Sequence, residues 1–295
     1  MNSVRSFRYL VVDVFTRQPL EGNPLAVFPD ASGLDDGTMQ KIAKELNLSE
    51  TVFVVSATRA DCAAGVRIFT PSKEMIFAGH PTIGASFVLM QEGIVPKNSE
   101  HFVLEEKVGP VPIRIEPGES PMIWLRTPPI HFGRFFDRAL CAHALRLDPR
   151  DLLETTPQLL SAGNPTIFVG LRDQTAVDRA WLDLTGLLSL KGADQEPACV
   201  FVFTPTSEGA YSRMFAPEYG ISEDPATGSS TGPLAAYMIR NNLLKARDGR
   251  RFISEQGNKM GRRSILHVEI HGEQGAERID VGGHVTPVAE AMMRL

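Results

Sequence analysis

One pattern occurs twice in this chain, and a repeat of that kind fixes an architecture more firmly than any local propensity. The first copy, Arg67 to Met90, reads RIFTPSKEMIFAGHPTIGASFVLM, and the second, Arg213 to Met238, reads RMFAPEYGISEDPATGSSTGPLAAYM. Each opens with arginine, an apolar residue, phenylalanine, a small residue and proline. Each then reaches a second proline followed three residues later by glycine, Pro81 to Gly84 and Pro225 to Gly228. Aligned on those prolines, His80 stands where Asp224 stands, and Ser86 matches Ser230.

Neither Pro81–Gln91 nor Pro225–Ile239 contains a charged residue. A helix that is uncharged all round cannot lie on a surface, so each run predicts a helix sheathed by other elements. Proline, glycine and small hydroxyl residues open both runs, which is start-of-helix chemistry. Pro233 has to fall in a first turn, so the second helix is expected to begin nearer Ser229 than Pro225. A buried helix start presents backbone N–H groups with partial positive charge, and two such ends would cradle a small anion such as a carboxylate.

The strings around these runs resemble a known family. Asn47-Leu48-Ser49-Glu50-Thr51, Phe69-Thr70-Pro71, Phe77-Ala78-Gly79-His80-Pro81 and Asp224-Pro225-Ala226-Thr227-Gly228-Ser229 are similar to PhzF (phenazine biosynthesis-like) proteins. Asp13-Val14-Phe15 with Gly22-Asn23-Pro24, and Gln256-Gly257 with Gly261-Arg262 and Ser264, extend the match in order over nearly the whole chain. Arg263 departs from it, since the family usually has proline after the Gly-Arg pair.

The resemblance implies a diaminopimelate epimerase-type α+β fold. Two pseudo-symmetric lobes each wrap a mostly antiparallel sheet around a central helix, with the active site in the cleft between them. The expected boundaries are residues 1–118, rejoined by 286–295, for the first lobe and 119–285 for the second. Gly118 to Pro121 supplies the turn-rich junction, and Val288 to Leu295 reads as a short apolar tail that could return to the first lobe. Helices are expected at 35–46, 81–92 and 136–147, and strands at 52–56, 65–70, 166–170 and 199–204 among others.

Composition narrows the function classes. Over 295 residues, 43% apolar and 22% charged content is that of an ordinary globular protein. A formal net charge of −5 gives no electrostatic reason to expect nucleic acid or an anionic membrane as partner. MNSVRSFRYLVVDVF reads as a strand rather than a signal peptide, so the cytoplasm is the expected address. Cys62, Cys141 and Cys199 are odd in number, far apart and set in apolar surroundings, so they read as buried small hydrophobes in a reducing compartment.

Three residues carry the expected chemistry. Glu50 is flanked by Leu48, Val52, Phe53 and Val54; a carboxylate against such a wall would hold a raised pKa and could take and return a proton near neutrality. By spacing alone a solvated turn carboxylate is the better reading, because most glutamates are exposed. The resemblance makes Glu50 the acid/base. His80 could be a satisfied core histidine or a neutral donor to the substrate, since a helix N-terminus disfavours imidazolium. Asp224 could be a cap or turn residue; the resemblance makes it a second carboxylate at the site, binding an amine or sharing a proton. Gly79, Gly228 and Ser229 would then supply N–H groups and a hydroxyl for the substrate carboxylate. Arg67 and Arg213 read as structural, and Glu74 and Glu223 as solvated.

The function that follows from the resemblance is a cofactor-free isomerase of a small carboxylic acid, similar to trans-2,3-dihydro-3-hydroxyanthranilate isomerase, acting as a homodimer. A two-thiol racemase on the same fold needs a cysteine at each helix mouth, and none is there. A non-catalytic or differently catalytic two-lobed small-carboxylate-binding protein of the same fold is the alternative reading. No metal is expected, because no His/Asp/Glu cluster has ligand spacing. No nucleotide cofactor is expected either, because no glycine-rich phosphate loop follows a strand.

Overall fold

In a computed structural model, which describes residues 5–192, 196, 198–245, 249–272 and 278–295, the chain begins with strands β1 (Ser6–Val14) and β2 (Asn23–Phe28). Helix α1 (Asp36–Leu46), β3 (Glu50–Val55), β4 (Ala64–Phe69), β5 (Glu74–Met75) and helix α2 (Gly79–Gln91) follow. Strands β6 (His101–Glu106), β7 (Gly109–Glu116) and β8 (Met122–Arg126) come next. Then come β9 (His131–Phe135), α3 (Arg138–Ala144), β10 (Gln158–Ser161), β11 (Thr166–Gly170), α4 (Gln174–Arg179) and α5 (Leu184–Lys191). The remainder is β12 (Cys199–Pro205), β13 (Gly209–Ala216), β14 (Ile221–Asp224), α6 (Gly228–Arg240), β15 (Arg250–Gln256), β16 (Ser264–His271), β17 (Arg278–Gly283) and β18 (Val285–Arg294).

Two compact units divide the chain, Met1–Arg126 with Gly282–Leu295, and Thr127–Val281. The divisions fall at 126/127 and 281/282, where the sequence reading set them at 118/119 and 285/286.

Within the first unit the strands pair in the order β18, β1, β2, β3, β4, β6, β7, β8. The β2–β3 and β4–β6 pairs are parallel and the others antiparallel, with β5 hairpinned onto β4. Helix α2 packs on β1, β2, β3, β4, β8 and β18, so the sheet covers most of its circumference. All its residues but Phe87 and Gln91 are buried. Burying Ile83, Val88 and Leu89 outright contributes roughly 1.5–3 kcal/mol each relative to exposure. Two inward hydroxyls are tolerated because each bonds to a carbonyl one turn back, Thr82 to Ala78 at 2.7 Å and Ser86 to Thr82 at 2.7 Å. Outside the sheet, α1 starts at Asp35, whose side chain accepts from the Thr38 N–H, and stops at Asn47 in the left-handed region. Its Met39, Ile42 and Ala43 close a second core with Phe28, Phe53 and Phe69.

The second unit repeats this pairing sequence. β9, β10, β11, β12, β13, β15 and β16 follow one another, with β11–β12 and β13–β15 parallel and β14 hairpinned onto β13. Helix α6 lies on β10, β11 and β16, and only its last residue, Arg240, is not buried.

Several expectations are corrected. Helix α2 begins at Gly79 instead of Pro81, because proline's lost N–H costs nothing inside the first turn. The stretch expected as an apolar tail is the body of β18, paired along its length with β1. Strand β9 is exposed at every position and shows no inward face for periodicity to detect. The helix expected over 136–147 shortens to α3, capped by Asp137.

Candidate functional site

Glu50 is the first residue of β3, beside Leu25 of β2 in parallel register. Two residues before Leu25, Asn23 opens β2 after Gly22, which turns with φ +66°. A Cβ on Gly22 would lie 2.3 Å from the Val14 carbonyl oxygen, so only glycine fits that turn. The turn aims Asn23 at the start of α2, where its Nδ2 lies 3.2 Å from His80 Nδ1. On the other edge of the ring, His80 Nε2 stands 3.3 Å from Glu50 Oε2.

These contacts define the ring. His80 is 4% exposed, and burial pushes its pKa from 6.5 down to about 3, so it is neutral near pH 7. With the Asn23 amide donating to Nδ1, the proton resides on Nε2 and faces the Glu50 carboxyl. The approach is within ion-pair distance, yet the alignment at Nε2 falls short of a hydrogen bond. Glu50 itself is largely covered, with 13% of its side chain accessible. This cluster therefore joins β2, β3 and the mouth of α2.

Asp224 belongs to the other unit. Asp224 ends β14 and is 6% exposed. The Thr227 hydroxyl donates to its Oδ2 at 2.5 Å. Gln256 ties the loop together: its Nε2 donates to the Asp224 carbonyl at 2.7 Å and to Thr227 Oγ1 at 3.0 Å, and its Oε1 accepts from the Thr227 N–H at 3.2 Å. Gly257 beside it has φ +80°, and a Cβ there would come within 2.2 Å of the Arg262 carbonyl oxygen and 2.7 Å of that of Pro225. Gly228 is the first residue of α6, and Ser229 next to it accepts from Asn164 Nδ2 at 3.2 Å. Arg263, the departure from the family pattern, is held in a two-point ion pair by Glu255, at 3.1 and 2.9 Å.

The helix starts change the internal alignment. With Gly79 set against Gly228, His80 corresponds to Ser229 and Thr82 to Thr231; each of those threonines bonds the carbonyl four residues back. Asp224 then has Met75 as its counterpart, both pairing with the residue after the repeat arginine, Met214 and Ile68. Matching prolines mislead here because proline marks a loop in one copy and a helical turn in the other.

Glu74 and Glu223, read as solvated, are paired instead. Arg67 Nε reaches Glu74 and Arg213 Nε reaches Glu223, both at 2.8 Å. Of the cysteines, Cys141 and Cys199 are buried as expected, and burial pushes the Cys141 thiol up to about 12. Cys62 is a correction, lying part-exposed in the turn that carries Asp61. Asn23, Thr227 and Gln256 were present in the quoted strings, yet nothing in residue spacing distinguished them as partners of His80 and Asp224.

The family described as Phenazine biosynthesis-like protein (PhzC-PhzF) matches residues 12–291. Trans-2,3-dihydro-3-hydroxyanthranilate isomerase of Pseudomonas aeruginosa is 34% identical over 287 residues, covering 96% of this chain and 98% of that protein. Relatives bearing the name isomerase support isomerase activity here. The crystal structure of the Bacillus anthracis phenazine biosynthesis protein of the PhzF family superposes with a TM-score of 0.87 at 27% identity, covering 98% of this chain and 99% of that one. A hydroxyproline epimerase from Agrobacterium vitis, at TM-score 0.66 and 13% identity over 99% of this chain and 93% of that one, shares the fold alone. The chain belongs to the phenazine biosynthesis-like (PhzC-PhzF) family.

Proposed function

We propose that this chain is a cofactor-free isomerase that moves a proton between two carbons of one small carboxylic acid. Glu50 as the carboxylate takes the proton from the first carbon, and the C–H electron pair enters the adjacent π system. The same carboxyl returns the proton to the second carbon, so no proton is gained or lost overall. Neutral His80 offers its Nε2–H to the substrate next to Glu50, without placing a full positive charge there. Asp224 receives the substrate's amine or shares a proton with it. The N–H groups of Gly79 and Gly228 and the hydroxyl of Ser229 take the carboxylate.

The observation that carries this reading is the approach of a buried, neutral His80 to Glu50 at 3.3 Å. Similarity to trans-2,3-dihydro-3-hydroxyanthranilate isomerase makes that compound the first substrate to test. Incubated with the protein in D₂O, it should isomerise and show deuterium at the carbon that receives the proton, to the extent that Glu50 exchanges with solvent. If neither it nor related amino and hydroxy acids isomerise or exchange while they still bind, the non-catalytic carboxylate-binding reading takes over. The same reading includes a cytoplasmic homodimer; a monomer mass by light scattering at micromolar concentration would remove the dimer.

A further inference from the structure

Glu106 ends β6 and is 5% exposed, and no part of the chemistry above uses it. Its Oε1 lies 2.5 Å from the Thr82 hydroxyl, in the first turn of α2. The same hydroxyl lies 2.7 Å from the Ala78 carbonyl oxygen. A threonine has one proton to give, and a carbonyl can only accept. If Thr82 donates to Ala78, Glu106 must be the donor to Thr82, and that requires a protonated carboxyl. The rest of the site agrees with this count. Glu106 Oε2 is buried without a hydrogen-bond partner among the described residues, which an anion would find costly.

We propose that Glu106 is a positioning residue for His80: held as a neutral acid, it donates through Thr82 to the Ala78 carbonyl and pins the first turn of α2. That turn carries the Gly79 N–H and His80, so the proposal rests on the isomerase reading for its importance, though not for its geometry. Helix α2 needs such a device because its N-cap, Ala78, has no side chain able to cap it. Ionised Glu106 could only accept. Thr82 would then turn its proton toward the carboxylate, and the Ala78 carbonyl would lose that bond.

The charged groups around Glu106 leave it in this role. Asp36, Arg67, Glu74, Glu105 and Lys107 share with it the wall of a cavity of about 310 Å³. Arg67 is taken by Glu74 and Asp36, Lys107 by Glu74 at 2.9 Å, and Glu105 by Thr58. From α2, His80 faces the unit's interior as a neutral ring next to Glu50. Burial raises the Glu106 pKa to about 8, and only the Thr82 hydrogen bond opposes it.

The sign of the pH effect follows. The folded carboxyl binds its proton more tightly than the unfolded one, so its contribution to stability is complete below about pH 4.5 and is lost as pH rises toward about 8. Backbone ¹H–¹⁵N spectra from pH 6 to 9.5 test the proposal in the intact protein without any substrate. The Gly79, His80, Thr82 and Ile83 amides should share one titration with a midpoint near 8. Glu106→Gln, neutral at every pH and still a donor, should abolish that titration and hold its melting temperature above wild type at pH 8.5 but not at pH 5. Thr82→Ser should titrate like wild type, whereas Thr82→Val should uncouple the turn. Turn amides that stay fixed in wild type, or that titrate unchanged in Glu106→Gln, overturn the proposal. Failure of the deuterium experiment with this titration intact would remove the isomerase reading alone.

Discussion

Arg67 and Arg213 hold the same place in the two halves of the repeat, and the chain has used them differently. Each stacks its guanidinium on the phenylalanine two residues on, at 5.2 Å for Phe69 and 4.9 Å for Phe215. Each pairs with the glutamate of the following hairpin. Arg67 turns its Nη1 to Asp36, whose side chain is 82% exposed. Arg213 instead donates to the carbonyls of Val177, Asp178 and Ala180 around the end of α4, where Val177 also accepts from the Ala180 N–H. A single inherited motif serves as a surface clamp in one unit and as an interior strut in the other. Charge pairing alone therefore says little about what such a residue is worth; the fate of its other donors decides it.

The largest effect should separate these two arginines. Arg213→Met strands Glu223, takes the Arg213 donor from the Asp178 and Ala180 carbonyls in a largely buried setting, and should cost about 3–5 kcal/mol of unfolding free energy. Arg67→Met loses a partly exposed pair and should cost about 1 kcal/mol or less. Urea titration of both variants checks this. Equal losses would mean that the two halves respond alike, and the contrast would fail.

The residues proposed for catalysis in each unit sharpen the comparison at the level of turnover. Glu50→Gln keeps volume and hydrogen bonding but removes the base, so turnover should fall by about 100-fold or more with binding near normal. Asp224→Asn and His80→Ala should weaken binding as well as turnover, because they are assigned to holding the substrate. Steady-state kinetics with a verified substrate, together with calorimetric binding, distinguishes the patterns. A Glu50→Gln protein of undiminished turnover would sink the proton-shuttle assignment.

Much of this division was legible in the chain, for a physical reason. Two uncharged runs can only be sheathed helices, and α2 and α6 are the elements the strands enclose. Strands with buried faces were found with their ends nearly right, such as β4, β11 and β12, because hydrophobic patterning records burial. What lacked an inward face was lost: β9 is exposed throughout, and β18 reads as a tail because only its pairing to β1 makes it a strand. Glu50 and His80 are brought together across strand and helix, while the roles of Gln256 and Glu106 show only in the fold. A glutamine or glutamate at a strand end looks the same in sequence whether it meets water or a threonine hydroxyl.

A smaller effect concerns pH on the acid side. His80 is neutral in the fold and protonates more readily when unfolded, so stability should be lost as pH falls from about 6.5 toward 3. His80→Asn should flatten that part of the stability profile and leave the alkaline part, assigned to Glu106, in place. Thermal melts of both proteins from pH 4 to 9 would show it. An imidazole signal from His80 titrating near pH 6.5 would contradict the buried neutral ring.

The smallest effects should come from the cysteines, and they bear on mechanism because the thiol route is the nearest chemical rival. Cys141 sits on the buried side of α3 with its thiol pushed up to about 12, and Cys199 opens the buried strand β12. Neither is adjacent in sequence to Glu50, His80 or Asp224, and an un-ionised thiol is a poor base. Cys62 is more accessible, but burial and the neighbouring Asp61 raise its thiol as well. Each alanine variant should therefore turn over substrate within about twofold of wild type. Cys141→Ala should cost about 1 kcal/mol in stability and Cys62→Ala about 0.5 kcal/mol or less, as a core and a part-exposed site respectively. A cysteine variant that folds normally yet loses turnover, alongside an active Glu50→Gln, would return the chemistry to sulfur.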